Sequence, residues 1–107
     1  GNAKKIKSLG KLKSVGSHLS LRGSNIKSLE NLKFVGQSLD LINSKVESLG
    51  DLEYVGYHFD ARDSKLKDLG KLKKVDGFLG IQNTPMSEKY SEEQIRNMVD
   101  ITGKLYK

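Results

Sequence analysis

Residues 6–25 read IKSLGKLKSVGSHLSLRGSN, and the same frame returns as IKSLENLKFVGQSLDLINSK (26–45), VESLGDLEYVGYHFDARDSK (46–65) and LKDLGKLKKVDGFLGIQNTP (66–85). The period is 20 residues, with no insertion before residue 85. A unit repeated at this length cannot bury its apolar side alone, so copies stack into a solenoid with one shared core. The columns expected to face that core are Ile6/Ile26/Val46/Leu66, Leu9/Leu29/Leu49/Leu69 and Leu12/Leu32/Leu52/Leu72, followed by Val15/Val35/Val55/Val75, Leu19/Leu39/Phe59/Leu79 and Leu21/Leu41/Ala61/Ile81.

Spacing separates the two sides of the unit. Leu19 and Leu21 lie two apart, as do Leu39 and Leu41, which is the strand period. Residues 18–22, 38–42, 58–62 and 78–82 are therefore expected to form parallel strands, one per repeat. Ile6, Leu9, Leu12 and Val15 fall three apart, which predicts turns, 3₁₀ pieces or very short strands such as 33–35. Gly16, Gly36 and Gly56, with Gly77 one place later, mark a corner that needs either a positive φ or close backbone approach. Gly23, Asn43, Asp63 and Asn83 mark a second corner, being residues that tolerate left-handed backbone. The neighbouring Ser24, Ser44, Ser64 and Thr84 are expected to satisfy backbone groups at that turn.

Written from Gly36, the frame is G-x-x-L-x-L-x-x-S-x-V. It resembles the leucine-rich repeat L-x-x-L-x-L-x-x-N-x-L, with Ser24, Ser44, Ser64 and Thr84 where the asparagine would stand. That departure removes the side chains that ladder through such repeats. The rhythm L-x-x-L-x-x-V-G-x-x-L-x-L is also similar to receptor L domains. Over nearly its whole length the chain resembles short repeat proteins of bacteriophages and gut bacteria. These resemblances imply a right-handed parallel β-solenoid and say little about activity, because such folds carry many unrelated functions. A phage origin would imply a small inhibitor of a bacterial enzyme or immune complex.

At 107 residues the chain is expected to be a single domain, and its lack of cysteine gives no disulfide framework or thiolate metal site. It has no apolar run long enough to cross a bilayer and no signal peptide before the first repeat, so no membrane partner is expected. A cytoplasmic location, in a bacterium or an infected host cell, is the expectation. Residues 1–5 read as a polar N-terminal extension too short to shield the open end of the solenoid. That end is expected to be covered by further chain, by a partner or by self-association, or else to fray.

The net charge of +6 is banded. Residues 6–25 carry Lys7, Lys11, Lys13 and Arg22 without an acid, whereas 46–65 carry Glu47, Asp51, Glu53, Asp60 and Asp63 against Arg62 and Lys65. The lysine columns Lys7/Lys27/Lys67 and Lys13/Lys33/Lys73 are cut by Glu47 and Glu53. A nucleic-acid groove wants an unbroken positive track with aromatic platforms, so these lysines read first as a solubilising surface and second as a polyanion or nucleic-acid contact.

The outward face of the main sheet carries the columns His18/Ser38/His58/Phe78, Ser20/Asp40/Asp60/Gly80 and Arg22/Ile42/Arg62/Gln82, with neighbours about 4.8 Å apart. Ile42 and Phe78 are expected to face solvent, near Tyr57 and near Tyr54 and Phe34 on the preceding segment. Aromatic residues and arginine in such places act as binding hot spots. The candidate partner-binding residues are His18, Arg22, Asp40, Ile42, Tyr54, Tyr57, His58, Asp60, Arg62 and Phe78.

Sharper chemistries fit less well. Asp40 and Asp60 could approach the roughly 5–5.5 Å of a retaining glycosidase pair, but any acidic column does so, and no cleft is implied. Calcium wants six or more oxygens, and His18 and His58 stand about 9.6 Å apart, too far for one metal ion. Neither a phosphate-binding glycine loop nor a paired-histidine motif is present. The expectation is a non-catalytic protein-recognition module with no cofactor and no metal.

The ending differs. Residues 86–107 read as a C-terminal cap, with a helix over about 91–99 started by Ser91 and Gln94 as a capping box and Tyr90 stapled to Ile95. Ile95, Met98 and Val99 are expected to share its buried face. Ile101, Gly103 and Leu105 then restate the valine, corner and strand positions of the repeat. The whole is predicted to be mainly β: a parallel solenoid of 20-residue leucine-rich-like repeats with a short capping helix.

Overall fold

The computed structural model describes residues 6–107, so the extension expected at 1–5 lies outside the described residues. Each repeat contributes two strands of two residues. These are β1 (Ser14–Val15) and β2 (Leu19–Ser20), β3 (Phe34–Val35) and β4 (Leu39–Asp40), β5 (Tyr54–Val55) and β6 (Phe59–Asp60), β7 (Lys74–Val75) and β8 (Leu79–Gly80). Two helices, α1 (Pro85–Lys89) and α2 (Glu92–Met98), precede β9 (Asp100–Ile101) and β10 (Leu105–Tyr106). The odd-numbered strands form one parallel five-stranded sheet and the even-numbered strands a second. Val15, Val35, Val55 and Val75 are in register, as are Leu19, Leu39, Phe59 and Leu79, so residues 20 apart are vertical neighbours.

The longer strands expected at 18–22, 38–42, 58–62 and 78–82 shrink to two residues each, because a corner follows almost at once. Gly23, Asn43, Asp63 and Asn83 adopt φ of 71°, 56°, 59° and 55°, and the chain folds back there. Ser24 N, Ser44 N and Ser64 N donate to the carbonyls of Leu21, Leu41 and Ala61 at 3.0, 3.1 and 3.2 Å. Hydrogen bonding between rungs nonetheless runs on past the strands, with Leu21 N to Asp40 O at 2.8 Å and Ala61 N to Gly80 O at 2.7 Å. The hydroxyls of Ser64 and Thr84 donate to the Ala61 and Ile81 carbonyls at 2.6 and 2.7 Å. They satisfy backbone acceptors that the turn buries.

A third corner, unexpected from the sequence, explains the three-residue spacing of the leucines. Gly10, Glu30, Gly50 and Gly70 hold φ of 58°, 54°, 58° and 52°. Their N–H groups donate to Ser8, Ser28, Ser48 and Asp68 side chains at 2.9, 2.9, 3.0 and 2.9 Å. Leu12, Leu32, Leu52 and Leu72 close the turn onto the carbonyls of Leu9, Leu29, Leu49 and Leu69. At the first corner, by contrast, Gly16, Gly36 and Gly56 do not take positive φ. The second alternative, close approach, applies: a Cβ on Gly56 would run into the Gly36 carbonyl oxygen.

The core is a stack of the repeated columns. Leu29, Leu32, Val35, Leu49, Leu52, Val55 and Phe59 are fully buried, each contributing about 1.5–3 kcal/mol relative to exposure. The first repeat is less complete: Ile6, Leu9, Val15 and Leu19 are only partly buried and Leu12 is 40 % exposed. Among the described residues it has a neighbouring repeat on one side only.

Past residue 85 the frame lengthens. Val75 pairs with Ile101 and Leu79 with Leu105, an offset of 26 rather than 20, so six extra residues are absorbed as helix (101 − 75 = 26). The capping box forms, with Ser91 Oγ accepting from Gln94 N at 3.1 Å and Gln94 Oε1 from Ser91 N at 2.8 Å. Helix α1 was not expected; Thr84 caps it by accepting from Ser87 N at 3.2 Å, and Pro85 occupies its first turn. Ile95 and Val99 are buried, but Met98 is 40 % exposed, against expectation. Val99 reaches the core from an extended C-cap (φ −144°, ψ 141°), so helical periodicity does not carry Met98 inward with it. Among the described residues no helix is long and apolar enough to cross a membrane.

Candidate functional site

On the outward side of the second sheet, β2 to β10 stack Ser20, Asp40, Asp60, Gly80 and Tyr106 in one column. His18, exposed at its edge, accepts a hydrogen bond through Nδ1 from Ser38 N at 3.1 Å. His58 does the same for Phe78 N at 3.0 Å. Each imidazole thus braces its own rung against the next. Each leans along the solenoid axis and meets an N–H lying outside the two-residue strands. An accepting Nδ1 offers a lone pair, which places the ring proton on Nε2.

The acid and arginine residues divide into a closed pair and an open one. Arg22 Nε and a terminal nitrogen both reach Asp40 Oδ2, at 2.9 and 2.8 Å, while Asp40 Oδ1 accepts from Ile42 N at 2.9 Å. Asp60 Oδ1 accepts from Arg62 N at 3.2 Å, but the Arg62 side chain stands off at 3.7 Å and is half exposed. The aromatic groups form a continuous run. Tyr57 and His58 have ring centroids 3.7 Å apart, His58 stacks on Phe78 at 4.1 Å, and Phe78 meets Tyr106 edge-on at 5.4 Å. Tyr57 and Tyr106, at its ends, are exposed, whereas Phe78 and Ile42, expected to face solvent, are half-buried.

Tyr54 does not join this group. It lies in the first sheet, beyond the Gly56 corner, with its ring stacked on Phe34 at 5.2 Å and 8°. Its hydroxyl donates to Asp76. That bond raises the Tyr54 pKa and holds the Asp76 carboxyl below its ordinary range. The structure therefore brings together Tyr57, His58, Asp60, Arg62 and Phe78, sets His18, Arg22, Asp40 and Ile42 on earlier rungs of the same face, and separates Tyr54. Gln82 and Tyr106 complete the cluster and were missed. Gln82 stood in an outward column already, and the alignment of Leu105 with Leu79 implied that Tyr106 sits over Gly80.

Asp60, Arg62, Phe78, Gln82 and Tyr106 line a hollow of about 240 Å³. A second, of about 300 Å³, lies at the corner of the third and fourth repeats beside α1, among Asp63, Lys65, Asn83 and Glu88. There Asn83 donates to Asp63 across the rungs at 2.9 Å. Among the described residues no group of three or more His, Cys, Asp or Glu is placed to hold a metal ion.

The acids of the third repeat do more than cut the lysine columns. Glu47, Asp51 and Glu53 pair with Lys67, Lys71 and Lys73 of the next rung at 2.8, 2.9 and 3.1 Å. Hydrogen bonds from Lys67 and Lys71 hold the Glu47 and Asp51 carboxyls below the usual range. Lys7, Lys11 and Lys13 make no such pair among the described residues. No protein-family model matches the chain, and neither a curated protein nor a solved structure shows significant similarity to it.

Proposed function

We propose that the chain is a non-catalytic protein-recognition module that engages its partner through the outward face of the second sheet. The observation that carries this is the run Tyr57, His58, Phe78 and Tyr106, exposed at both ends and bordered by Asp60 and Arg62. Rings already held by their neighbours lose little freedom on binding, and aromatic residues with arginine dominate interface energies. The leucine columns support the leucine-rich or receptor L-domain type within the solenoid class. The likeness to phage repeat proteins supports a bacterial enzyme or immune complex as the target. Replacing Tyr57→Ala together with Arg62→Glu is expected to weaken capture of a partner isolated with the native protein by about ten-fold or more. The thermal midpoint should stay within about 2 °C, since neither side chain is in the core. Undiminished capture by the double variant overturns the reading.

A second reading, polyanion binding, is favoured by one observation: the unpaired lysines Lys7, Lys11 and Lys13 share one end of the solenoid. Its mark would be oligonucleotide affinity that falls steeply between two salt concentrations.

A further inference from the structure

We infer that the hollow between Asp60, Gln82, Phe78 and Tyr106 receives the cationic end of a lysine or arginine side chain presented by a protein partner. This rests on the recognition reading above and specifies what the face recognises. The hollow, of about 240 Å³, is lined by Asp60, Arg62, Phe78, Gln82 and Tyr106, and two of these, Asp60 and Gln82, reach over the buried Gly80. A Cβ placed there would lie 3.1 Å from Asp60 Oδ1 and 3.2 Å from Gln82 Oε1. Two acceptors thus converge on one point, and among the described residues Gln82 Oε1 is buried without a hydrogen-bond partner. A group filling the gap must donate.

The charge of Asp60 points the same way. The register that pairs Arg22 with Asp40 spans 18 residues, and the residue 18 before Asp60 is Ile42. Asp60 therefore lacks the close arginine that closes off Asp40, and Arg62, at 3.7 Å and half exposed, is a loose substitute at the rim. Phe78 and Tyr106, edge to face at 5.4 Å, supply an apolar wall for an aliphatic stem and a ring face for a cation. A carboxylate in the gap would face two acceptors with only Arg62 at the rim to receive it, and an apolar group would leave Gln82 Oε1 unsatisfied.

The test is a titration of the full chain, followed by the amide resonances of Gly80 and the Gln82 side chain. The probes are N-acetyl-lysine amide and N-acetyl-arginine amide, with N-acetyl-norleucine amide and N-acetyl-glutamine amide as controls. The cationic probes are expected to saturate and to bind about ten-fold more tightly than either control, as charge-assisted hydrogen bonds require. Gly80→Ala should weaken binding about five-fold or more, because its Cβ displaces the Asp60 and Gln82 oxygens that the cation needs. Its Cβ meets only the ends of two flexible side chains, so the remaining resonances should stay in place. Asp60→Asn should weaken binding about five-fold or more, keeping the shape and removing the charge. No saturation, equal binding of a control, or Gly80→Ala binding like the parent overturns the inference. If the probes fail while partner capture still responds to Tyr57→Ala with Arg62→Glu, the hollow alone is refuted. If they bind and capture does not respond, the recognition reading falls instead.

Discussion

Glu30 holds a backbone conformation, φ 54°, that its counterparts Gly10, Gly50 and Gly70 adopt without a side chain to strain. Its compensation is one exposed hydrogen bond from Ser8 Oγ, shared between the two Glu30 carboxylate oxygens at 3.0 and 3.1 Å and competing with water. Left-handed backbone costs a residue with a Cβ about 1–2 kcal/mol, partly offset by the extra freedom glycine gains when unfolded. Glu30→Gly is therefore expected to stabilise the chain by about 0.5–1 kcal/mol, read as a higher denaturant midpoint at unchanged slope. A lower midpoint would show that the Ser8 contact outweighs the strain. Glu30 also explains why this corner was hidden: it breaks a glycine column that would otherwise have announced the turn. The leucine and valine columns were legible because burial imposes one residue class at a fixed interval. The bracing role of His58 and the orphaned oxygen of Gln82 were not, because both depend on side-chain direction between rungs.

At the level of single elements, the ending shows what local signals reveal. Ser91 and Gln94 declared α2, and their reciprocal bonds form. Removing the cap with Ser91→Ala should cost about 1 kcal/mol and lower the thermal midpoint. It should also loosen amide-exchange protection around Ile95, which the helix seats in the core at 0 % exposure. Unchanged protection there would mean that packing alone holds α2. Thr84 and Pro85 carried an equally good start signal for α1, an N-cap hydroxyl before a proline, but they also closed the fourth repeat and were read only in that frame. The strands were legible in position and not in length, since alternation places residues on a face while the corners decide how many belong to the ladder.

For the molecule as a whole, most ion pairs among the described residues lie between rungs and lean toward the later repeats, so pH acts on the stack. Glu47, Asp51 and Asp76 have lowered pKa values, caused first by hydrogen bonds from Lys67, Lys71 and Tyr54. A carboxyl depressed on folding stabilises above its unfolded pKa, near about 4, and loses that contribution as pH falls through the lower folded value. Lys67, Lys71 and Lys74 are raised by their carboxylate partners, so their contribution holds below about pH 10.4 and fades as pH climbs through the higher folded values. The thermal midpoint should therefore decline at both extremes, and less so in roughly 1 M salt, where exposed pairs are screened. A midpoint flat below pH 4 would contradict this. The two short helices between Val75 and Ile101 carry a broader consequence. Because a six-residue detour leaves the pairing of Val75 with Ile101 and Leu79 with Leu105 undisturbed, the serine-and-threonine corner is a seam where the chain can be lengthened without shifting anything beyond it. New loops, and with them new specificities, could be spliced in at the corners of the other repeats while the ladder behind them keeps its step.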